Sequence, residues 1–182
     1  HHVSPDSVGH LDRYRVTSRQ FEEQLQFLAE PGHRSVSLEE WRRASVARTP
    51  LPGRCVAITF DDGYRNFLEH AWPLLLRYGF TATMFVPTRD IGTSDRWENE
   101  LASGTPLLSW DQLRKLRNEG LEIGSHSHVH PMLTSLSPTE VAREALLSRT
   151  LIDEHLGMGV TSFAYPYGEY DRVVERVIGG CG

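Results

Sequence analysis

The sequence has few cysteines, no long apolar run and no excess of basic residues. Its two cysteines, Cys55 and Cys181, share no metal-ligand spacing, so one disulfide and two free thiols are both open. No apolar run approaches the length of a membrane span, so we expect no transmembrane segment in this chain. The 19 basic and 24 acidic residues give a net charge of −5 without a basic patch, which argues against a nucleic-acid partner. A neutral or partly cationic substrate is compatible with that charge.

The length and composition are those of one ordinary globular domain. The 182 residues are 39% hydrophobic and 24% charged, and no repeat, low-complexity tract or linker divides them. We therefore predict a single domain over residues 1–182. Because the chain opens abruptly at His1 and stops at Gly182, soon after an incipient helix, we expect this domain to be incomplete at both ends.

Predicted helices and short strands alternate along the chain. Capping boxes, in which a hydroxyl residue precedes a Glu or Gln by three positions, mark helix starts at Thr17–Gln20, Ser37–Glu40, Ser109–Gln112 and Ser137–Glu140. Runs typical of strands lie at His33–Ser37, Cys55–Phe60, Thr81–Val86, Leu121–Ser125 and Val160–Ala164. This alternation predicts βα units around a parallel sheet, and a barrel and an open doubly wound sheet both fit it.

Three segments with chemically competent side chains each follow a predicted strand. They are Thr59–Gly63, His126–Pro131 and Tyr165–Gly168. In parallel α/β folds, active sites form where the carboxyl ends of the strands meet. We therefore expect the three segments to meet at one rim of the fold.

The first segment contains two adjacent carboxylates, Asp61 and Asp62. Consecutive residues of a strand point to opposite sides, so the two acids need not share one task. One can bind a metal ion while the other approaches the attacking water. An ordinary Asp-Gly turn, in which Gly63 lets the chain turn away, is the alternative interpretation.

The second segment contains three histidines in five residues. His126 and His130 are four residues apart, so one helical turn would place both rings on a common face. With a carboxylate they form the two-histidine, one-acid set of catalytic zinc sites, and iron, cobalt or manganese accept the same ligands. We expect His128 to point elsewhere. The isolated histidines His70 and His155 are given no role.

Aromatic residues indicate where a sugar could bind. Tyr165, Pro166 and Tyr167 form a stiff loop that can line a sugar-sized cleft and present a backbone N–H, although packing at a strand end is the alternative. Trp97, in the loop from Pro87 to Thr105, either stacks on a sugar ring or packs that loop.

In this order, the three segments resemble the motifs of the polysaccharide deacetylase family, also called the NodB-homology domain or carbohydrate esterase family 4. Thr59–Gly63 is similar to its TFDDG motif, His126–His130 to its H-[ST]-x-x-H motif, and Ala164–Tyr167 to its R-x-P-[YF] motif. His1–Pro5 and Tyr14–Glu40 are similar to the lead-in of the branch that deacetylates poly-N-acetylglucosamine. The resemblance runs across essentially the whole chain.

The resemblance implies a distorted (β/α) barrel with fewer than eight repeats. It implies Asp61 as general base and Tyr167 as the donor of a backbone N–H to the oxyanion. Asp62, His126 and His130 would bind a divalent metal, zinc in the first place, with cobalt, nickel, manganese or iron as alternatives. The residues themselves, rather than the resemblance, suggest Tyr165, Pro166 and Trp97 as substrate-binding residues.

The implied activity is metal-dependent hydrolysis of N-acetyl groups on a carbohydrate polymer or oligomer containing N-acetylglucosamine, a reaction at a carbon–nitrogen bond that is not a peptide bond. The implied location is outside the cytoplasm, secreted or at the cell envelope. Two departures from the family pattern matter. Ala164 stands where many members have an arginine that orients the base, and the late motifs, including a histidine general acid, have no match before Gly182.

Three other functions remain open at this point. An enzyme with the same site could cleave acetyl esters, as on a xylan-like polymer. A carbohydrate-binding relative without activity would fit the missing late motifs. A magnesium-dependent phosphatase would use Asp61 as a nucleophile, but that chemistry usually has acids separated by one residue and oxygen ligands rather than a histidine pair.

Overall fold

The computed structural model describes residues 1–5, 14–30, 32–97, 104–157 and 159–181. In these ranges the strands are β1 (His2–Ser4), β2 (Arg15–Thr17), β3 (His33–Ser35), β4 (Arg54–Val56), β5 (Thr59–Phe60), β6 (Thr83–Val86) and β7 (Glu122–Ser125). The helices are α1 (Ser18–Leu28), α2 (Leu38–Ala47), α3 (Trp72–Arg77), α4 (Trp110–Asn118), α5 (Pro138–Leu156) and α6 (Arg172–Gly180). The α/β architecture predicted from the alternation of elements is confirmed.

All described strand pairs are parallel, as predicted. β1 pairs with β2, and β3 pairs with β4. The third sheet has the order β5-β6-β7, with Phe60 opposite Met84 and Met84 opposite Ile123. Every residue of β6 is buried, as expected for a central parallel strand that is covered on both faces. The carboxyl ends of β5 and β7 therefore come out on either side of the end of β6.

The predicted helix starts are confirmed at all four capping boxes. The hydroxyls of Thr17, Ser109 and Ser137 accept the expected backbone bond, and the partner three residues on reaches back. At Ser37 the hydroxyl accepts from the Glu40 N–H, but the Glu40 carboxylate pairs with Arg34 instead of reaching back. A π-helical turn at Phe67–Ala71 precedes α3, and no capping box marks the start of this helix.

The main core lies between the third sheet and the helices that cover it. Met84 of β6 and Ile123 of β7 pack with Leu75 of α3 and with Leu113 and Leu116 of α4, all of them buried. A smaller apolar cluster forms around Leu133, Val141 and Val174, between α5 and α6. These two clusters hold α5 against the sheet beside β7.

The structure corrects the predicted strands at three places. The run Cys55–Phe60 is divided into β4, which pairs with β3, and β5, which pairs with β6. The run Val160–Ala164 forms only one bridge, Phe163 to Ser125 at the end of β7, rather than a strand. The short pair β1 and β2, which carries no strand pattern of its own, was not predicted. The Phe163–Ser125 bridge and the β1–β2 pair depend on contacts with a neighbouring segment, because a pattern of only two or three residues predicts a strand poorly.

Cys55 and Cys181 are free thiols. None of the described helices is both long enough and apolar enough to cross a bilayer. The prediction of one domain over residues 1–182 stays a prediction. Within the loop that contains Trp97, residues 98–103 lie outside the described part of the chain.

Candidate metal centre

Asp62, His126 and His130 come together at the carboxyl ends of β5 and β7. Oδ1 of Asp62 lies 3.5 Å from Nε2 of His126 and 3.4 Å from Nε2 of His130. One possible ligand atom from each residue lies within 4.8 Å of the other two. The convergence predicted from the sequence is confirmed, because β5 and β7 are parallel neighbours of the same strand.

The chemistry of this cluster fits a divalent metal ion. All three side chains are buried, and Oδ1 of Asp62 has no hydrogen-bond partner. An unsatisfied buried carboxylate oxygen is costly, and a cation between the three residues would satisfy it. Bonds of about 2.0–2.2 Å to a tetrahedral ion separate two ligands by roughly 3.3–3.6 Å. The two distances between Asp62 and the histidines match that separation.

Hydrogen bonding at His126 and the pKa directions of His130 and Asp62 favour the forms of these residues that bind a metal. Nδ1 of His126 donates to the carbonyl oxygen of Ala164 at 2.9 Å, which leaves Nε2 as the lone-pair nitrogen facing Asp62. Burial lowers the pKa of His130, so its ring is neutral at pH 7. Burial alone would raise the pKa of Asp62, but its interactions with the surrounding histidines outweigh burial and hold that pKa well below its ordinary value. The aspartate is therefore ionised.

The backbone at the site adopts an uncommon conformation. Asp62, Ser127, His130 and Tyr167 have φ values of 72°, 67°, 58° and 60°. In the described chain the other non-glycine residue with positive φ is Arg48, so this strain concentrates at the site. Residues in the left-handed region cost free energy and persist where the surrounding structure holds them, often at functional sites.

The segment His126–His130 is not the helical turn that the i, i+4 spacing predicted. No helix is assigned to it. The N–H of His130 is bonded to Oγ of Ser127 at 3.1 Å, rather than to the carbonyl four residues back. The rings of His126 and His130 still meet, with centroids 4.8 Å apart. His128 points away from the cluster as predicted, with Nδ1 2.9 Å from Oγ1 of Thr88.

Asp61 and Asp62 have different environments, as predicted. The side chain of Asp62 is 5% exposed, whereas that of Asp61 is 31% exposed and is not part of the three-residue cluster. Asp61 is thus open to solvent immediately beside the candidate metal ligands. Its role as a general base stays a prediction.

Two of the predicted aromatic residues border the cluster. The ring of Trp97 stacks on His130, with centroids 4.7 Å apart and an interplanar angle of 27°. The ring of Tyr167 meets His130 edge-on at 4.7 Å and is half exposed. Both rings could face a bound sugar, but the contribution of the Tyr167 backbone N–H to an oxyanion stays a prediction.

Tyr165 and Pro166 have packing partners other than His130. Tyr165 stacks on Tyr170 at 4.8 Å and packs against Phe163 in the smaller apolar cluster, and Pro166 is buried. Packing at a strand end was the alternative interpretation of these residues, and the structure shows such packing for Tyr165. Their part in substrate binding stays a prediction.

His1 is a site residue to which the sequence analysis gave no role. Its Nδ1 lies 2.8 Å from Oδ2 of Asp62 and 3.9 Å from Oδ2 of Asp61. Its ring also meets Tyr14 edge-on. No local spacing links His1 to residues 61 positions away, and the available signal was the similarity of His1–Pro5 to the lead-in of a family branch.

A parallel α/β fold with an Asp-His-His cluster at the carboxyl ends of its strands has the arrangement of a metal-site hydrolase. Residues 48–182 match the family model described as polysaccharide deacetylase. The chain belongs to the polysaccharide deacetylase family, so the resemblance predicted from its motifs is confirmed.

Curated relatives extend the match toward the amino terminus. YxkH of Bacillus subtilis is 28% identical over 166 residues, which are 91% of this chain and 56% of YxkH. The poly-beta-1,6-N-acetyl-D-glucosamine N-deacetylase of Staphylococcus epidermidis is 26% identical over 167 residues, 87% of this chain and 55% of that protein. The Escherichia coli K12 protein of the same name is 29% identical over 117 residues, 62% of this chain and 17% of that protein. The chain thus spans about half, or less, of these relatives.

Solved structures confirm the predicted distorted barrel. The deacetylase PplD of Streptococcus pyogenes, in complex with acetate, matches with a TM-score of 0.82 at 25% identity, covering 99% of this chain and 77% of that one. IcaB from Ammonifex degensii matches with a TM-score of 0.82 at 27% identity, covering 100% of this chain and 78% of that one.

Proposed function

We propose that this chain carries the active site of a zinc-dependent deacetylase that removes N-acetyl groups from a polysaccharide containing N-acetylglucosamine. The observation that supports it most is the buried cluster of Asp62, His126 and His130, with an unpaired carboxylate oxygen directed among histidine nitrogens. Burial of three ligand-type side chains around an orphaned acceptor has no obvious benefit for folding alone.

Asp62, His126 and His130 are the residues that would hold the ion. A divalent ion there, zinc in the first place and cobalt, nickel, manganese or iron otherwise, would polarise the acetyl carbonyl and lower the pKa of a water molecule toward about 7. Their burial excludes solvent from one side of the site, which strengthens electrostatic interactions with the substrate.

Asp61 is placed to act as the base. It is the more exposed of the two adjacent carboxylates, so it can reach a water molecule on the open side of the cluster while Asp62 stays with the histidines. It takes the proton from water as the acetyl carbon is attacked. Tyr167 offers its backbone N–H to the oxyanion that develops on the substrate.

The departing amine must receive a proton, and two neighbouring groups can supply it. Asp61 has just accepted one from water. His1 lies beside both carboxylates, with Nδ1 3.9 Å from Asp61, and has no place in the metal-ligand set. We assign the delivery to His1: its imidazolium keeps Nδ1–H on Asp62 and gives the proton on Nε2 to the amine nitrogen as the C–N bond breaks, while Asp61 keeps the proton taken from water.

The substrate assignment rests on relatives and on the aromatic border. Relatives named poly-beta-1,6-N-acetyl-D-glucosamine N-deacetylase match up to 89% of this chain. Trp97 and Tyr167 flank His130 and offer apolar faces to a sugar ring. The likeness of His1–Pro5 and Tyr14–Glu40 to the branch that deacetylates poly-N-acetylglucosamine is the ground on which we propose that the protein acts outside the cytoplasm, secreted or at the cell envelope.

Acetate release tests the proposal. The chain, loaded with zinc, is incubated with β-1,6-linked N-acetylglucosamine oligomers and, separately, with acetylated xylo-oligomers. We expect a higher kcat/KM on the amide substrate and loss of release after chelation. A clear preference for the xylan ester would overturn the amide assignment and leave the metal site standing. No release from either substrate would favour a carbohydrate-binding relative without activity.

A further inference from the structure

Glu144 of α5 is a buried carboxylate bonded to the backbone between the two histidine ligands. Its side chain is 9% exposed, and its Oε2 accepts hydrogen bonds from the N–H of His128 at 2.9 Å and from the N–H of Val129 at 2.8 Å. A single carboxylate oxygen thus accepts both hydrogen bonds. Bonds of this kind to an ionised acceptor are stronger than those between neutral groups.

A second contact from α5 holds the amino-terminal end of the same segment. Oγ of Ser148, one turn after Glu144 on the helix, lies 2.7 Å from Oγ of Ser125, and both side chains are buried. Oγ of Ser125 in turn accepts from the N–H of Ser127 at 3.3 Å. Two successive turns of one helix therefore fix the chain on both sides of His126.

The segment is held partly by its own serines, with the N–H of His130 bonded to Oγ of Ser127 and that of Ser127 to Oγ of Ser125, and partly from outside. Ser127 and His130 are in the left-handed region, and the N–H groups at 128 and 129 go to Glu144 rather than to a carbonyl of the segment. Without this acceptor the two part-buried N–H groups would lose their partner, and the chain could relax to more favourable φ values. Relaxation would turn the His130 ring away from Asp62.

We propose that Glu144 is a positioning residue for the metal centre, acting through the backbone of His128 and Val129 to hold His130 in its ligating orientation. The proposal rests on the proposed function, since it assumes that the cluster binds a metal. Glu144 itself touches neither the candidate ion site nor a substrate group. Outer-shell partners of this kind typically change metal affinity by about 10–100-fold.

Zinc affinity of purified variants, measured by competition with a chromophoric chelator, tests this role. We expect Glu144→Ala to bind zinc about 10–100-fold more weakly than the unaltered chain. Glu144→Gln, whose amide oxygen can accept both N–H groups, should keep most of the affinity. Glu144→Asp draws the carboxylate back by one methylene group and should lose affinity while keeping the charge, which covers the case in which the alanine variant does not fold.

The control separates positioning from general destabilisation. Glu154→Ala makes the same change at an exposed position of the same helix and should leave zinc affinity unchanged. Thermal unfolding in chelator reports stability without metal, and a merely structural role would lower the melting temperature of Glu144→Asp without changing its zinc affinity. That result would overturn the proposal for Glu144 alone. An unaltered chain that binds no zinc would overturn the metal centre and this proposal together.

Discussion

Oδ1 of Asp62 and Nε2 of His130 lie 3.4 Å apart, and each side chain is 5% exposed. The two residues follow β5 and β7, which pair with opposite edges of β6. The N–H of His126 bonds to the carbonyl of Val86, the last residue of β6, so the histidine segment starts at the level at which β6 ends. The order of three parallel strands thus brings an acid and two histidines over the end of the middle strand.

The first prediction separates metal ligands from the neighbouring acid. Asp62→Asn and His130→Ala should each weaken zinc binding by more than the roughly 10–100-fold typical of an outer-shell partner, because each removes a direct ligand. Asp61→Asn should retain zinc. Zinc content after dialysis against a weak chelator measures the difference, and equal loss in the two aspartate variants would show that the pair is assigned wrongly.

The second prediction concerns catalysis by Asp61. Asp61→Asn should lower kcat by about 10²–10⁴-fold, the usual contribution of a positioned base, with zinc occupancy unchanged. Steady-state kinetics on N-acetylglucosamine oligomers at saturating zinc gives kcat and KM separately. A variant with near-normal kcat would exclude Asp61 as the base.

The third prediction concerns His1. Asn at this position can place an amide N–H near the location of Nδ1 and keep the contact with Asp62, but it cannot deliver a proton. His1→Asn should therefore lower kcat by at least about 10²-fold with little change in zinc affinity. His155→Asn, at an exposed position near the end of α5, is the control. Normal kcat in His1→Asn would assign proton delivery to Asp61.

The fourth prediction concerns close packing next to the histidine segment. A Cβ added at Gly124 of β7 would lie 2.5 Å from Cδ1 of Phe85 and 2.7 Å from Oγ of Ser162. Gly124→Ala should therefore lower the free energy of unfolding by about 1–3 kcal/mol. Gly159→Ala, where an added Cβ would meet nothing within 4 Å, should change it by less than about 0.5 kcal/mol. Urea unfolding in chelator measures both, and equal values would contradict the packing argument.

The fifth prediction concerns the pH dependence of stability. His2 is buried, stacks on Tyr64 at 3.9 Å and accepts a hydrogen bond at Nδ1 from Asn66. Burial, followed by the nearby charge of Arg15, lowers the pKa of His2 to about 4. The His2 ring of the unfolded chain takes up a proton near pH 6.5, whereas that of the folded chain does so only near pH 4. The contribution of the neutral ring to the free energy of unfolding is therefore present above pH 6.5 and is lost as the pH falls toward 4.

The variant His2→Phe keeps an aromatic ring beside Tyr64 but cannot be protonated. Between pH 7.5 and 4.5 the unaltered chain should lose up to about 2 kcal/mol more free energy of unfolding than this variant. Urea unfolding in chelator at both pH values measures the two losses, since chelation removes the separate pH dependence of metal binding. Equal losses would mean that His2 is not buried as a neutral ring.

Much of this protein could be predicted from local sequence. A capping box depends on residues three positions apart, so the helix starts at Thr17, Ser109 and Ser137 follow from the chain itself. The metal cluster could also be predicted, because motifs that follow parallel strands must come out at the same edge of a sheet. The different environments of Asp61 and Asp62 could be predicted because consecutive residues of a strand point to opposite sides, whereas the role of Asp61 stays a prediction.

Tertiary contacts decided the rest, because they involve residues that are distant in sequence. The spacing of His126 and His130 predicted a helical turn, but the N–H of His130, which such a turn would bond to the carbonyl of His126, is bonded to Oγ of Ser127. The carboxylate of Glu144, from α5, accepts the N–H groups of His128 and Val129. The run Val160–Ala164 forms one bridge to β7. The carbonyl oxygen of Ala164 accepts the Nδ1–H of His126 and so fixes the tautomer of that ring. Sequence by itself determined which residues could act as ligands and where the helices begin. Only the folded chain determined how the candidate ligands are oriented and brought His1 to Asp62. The orientation and this contact depend on hydrogen bonds between segments that meet only after folding.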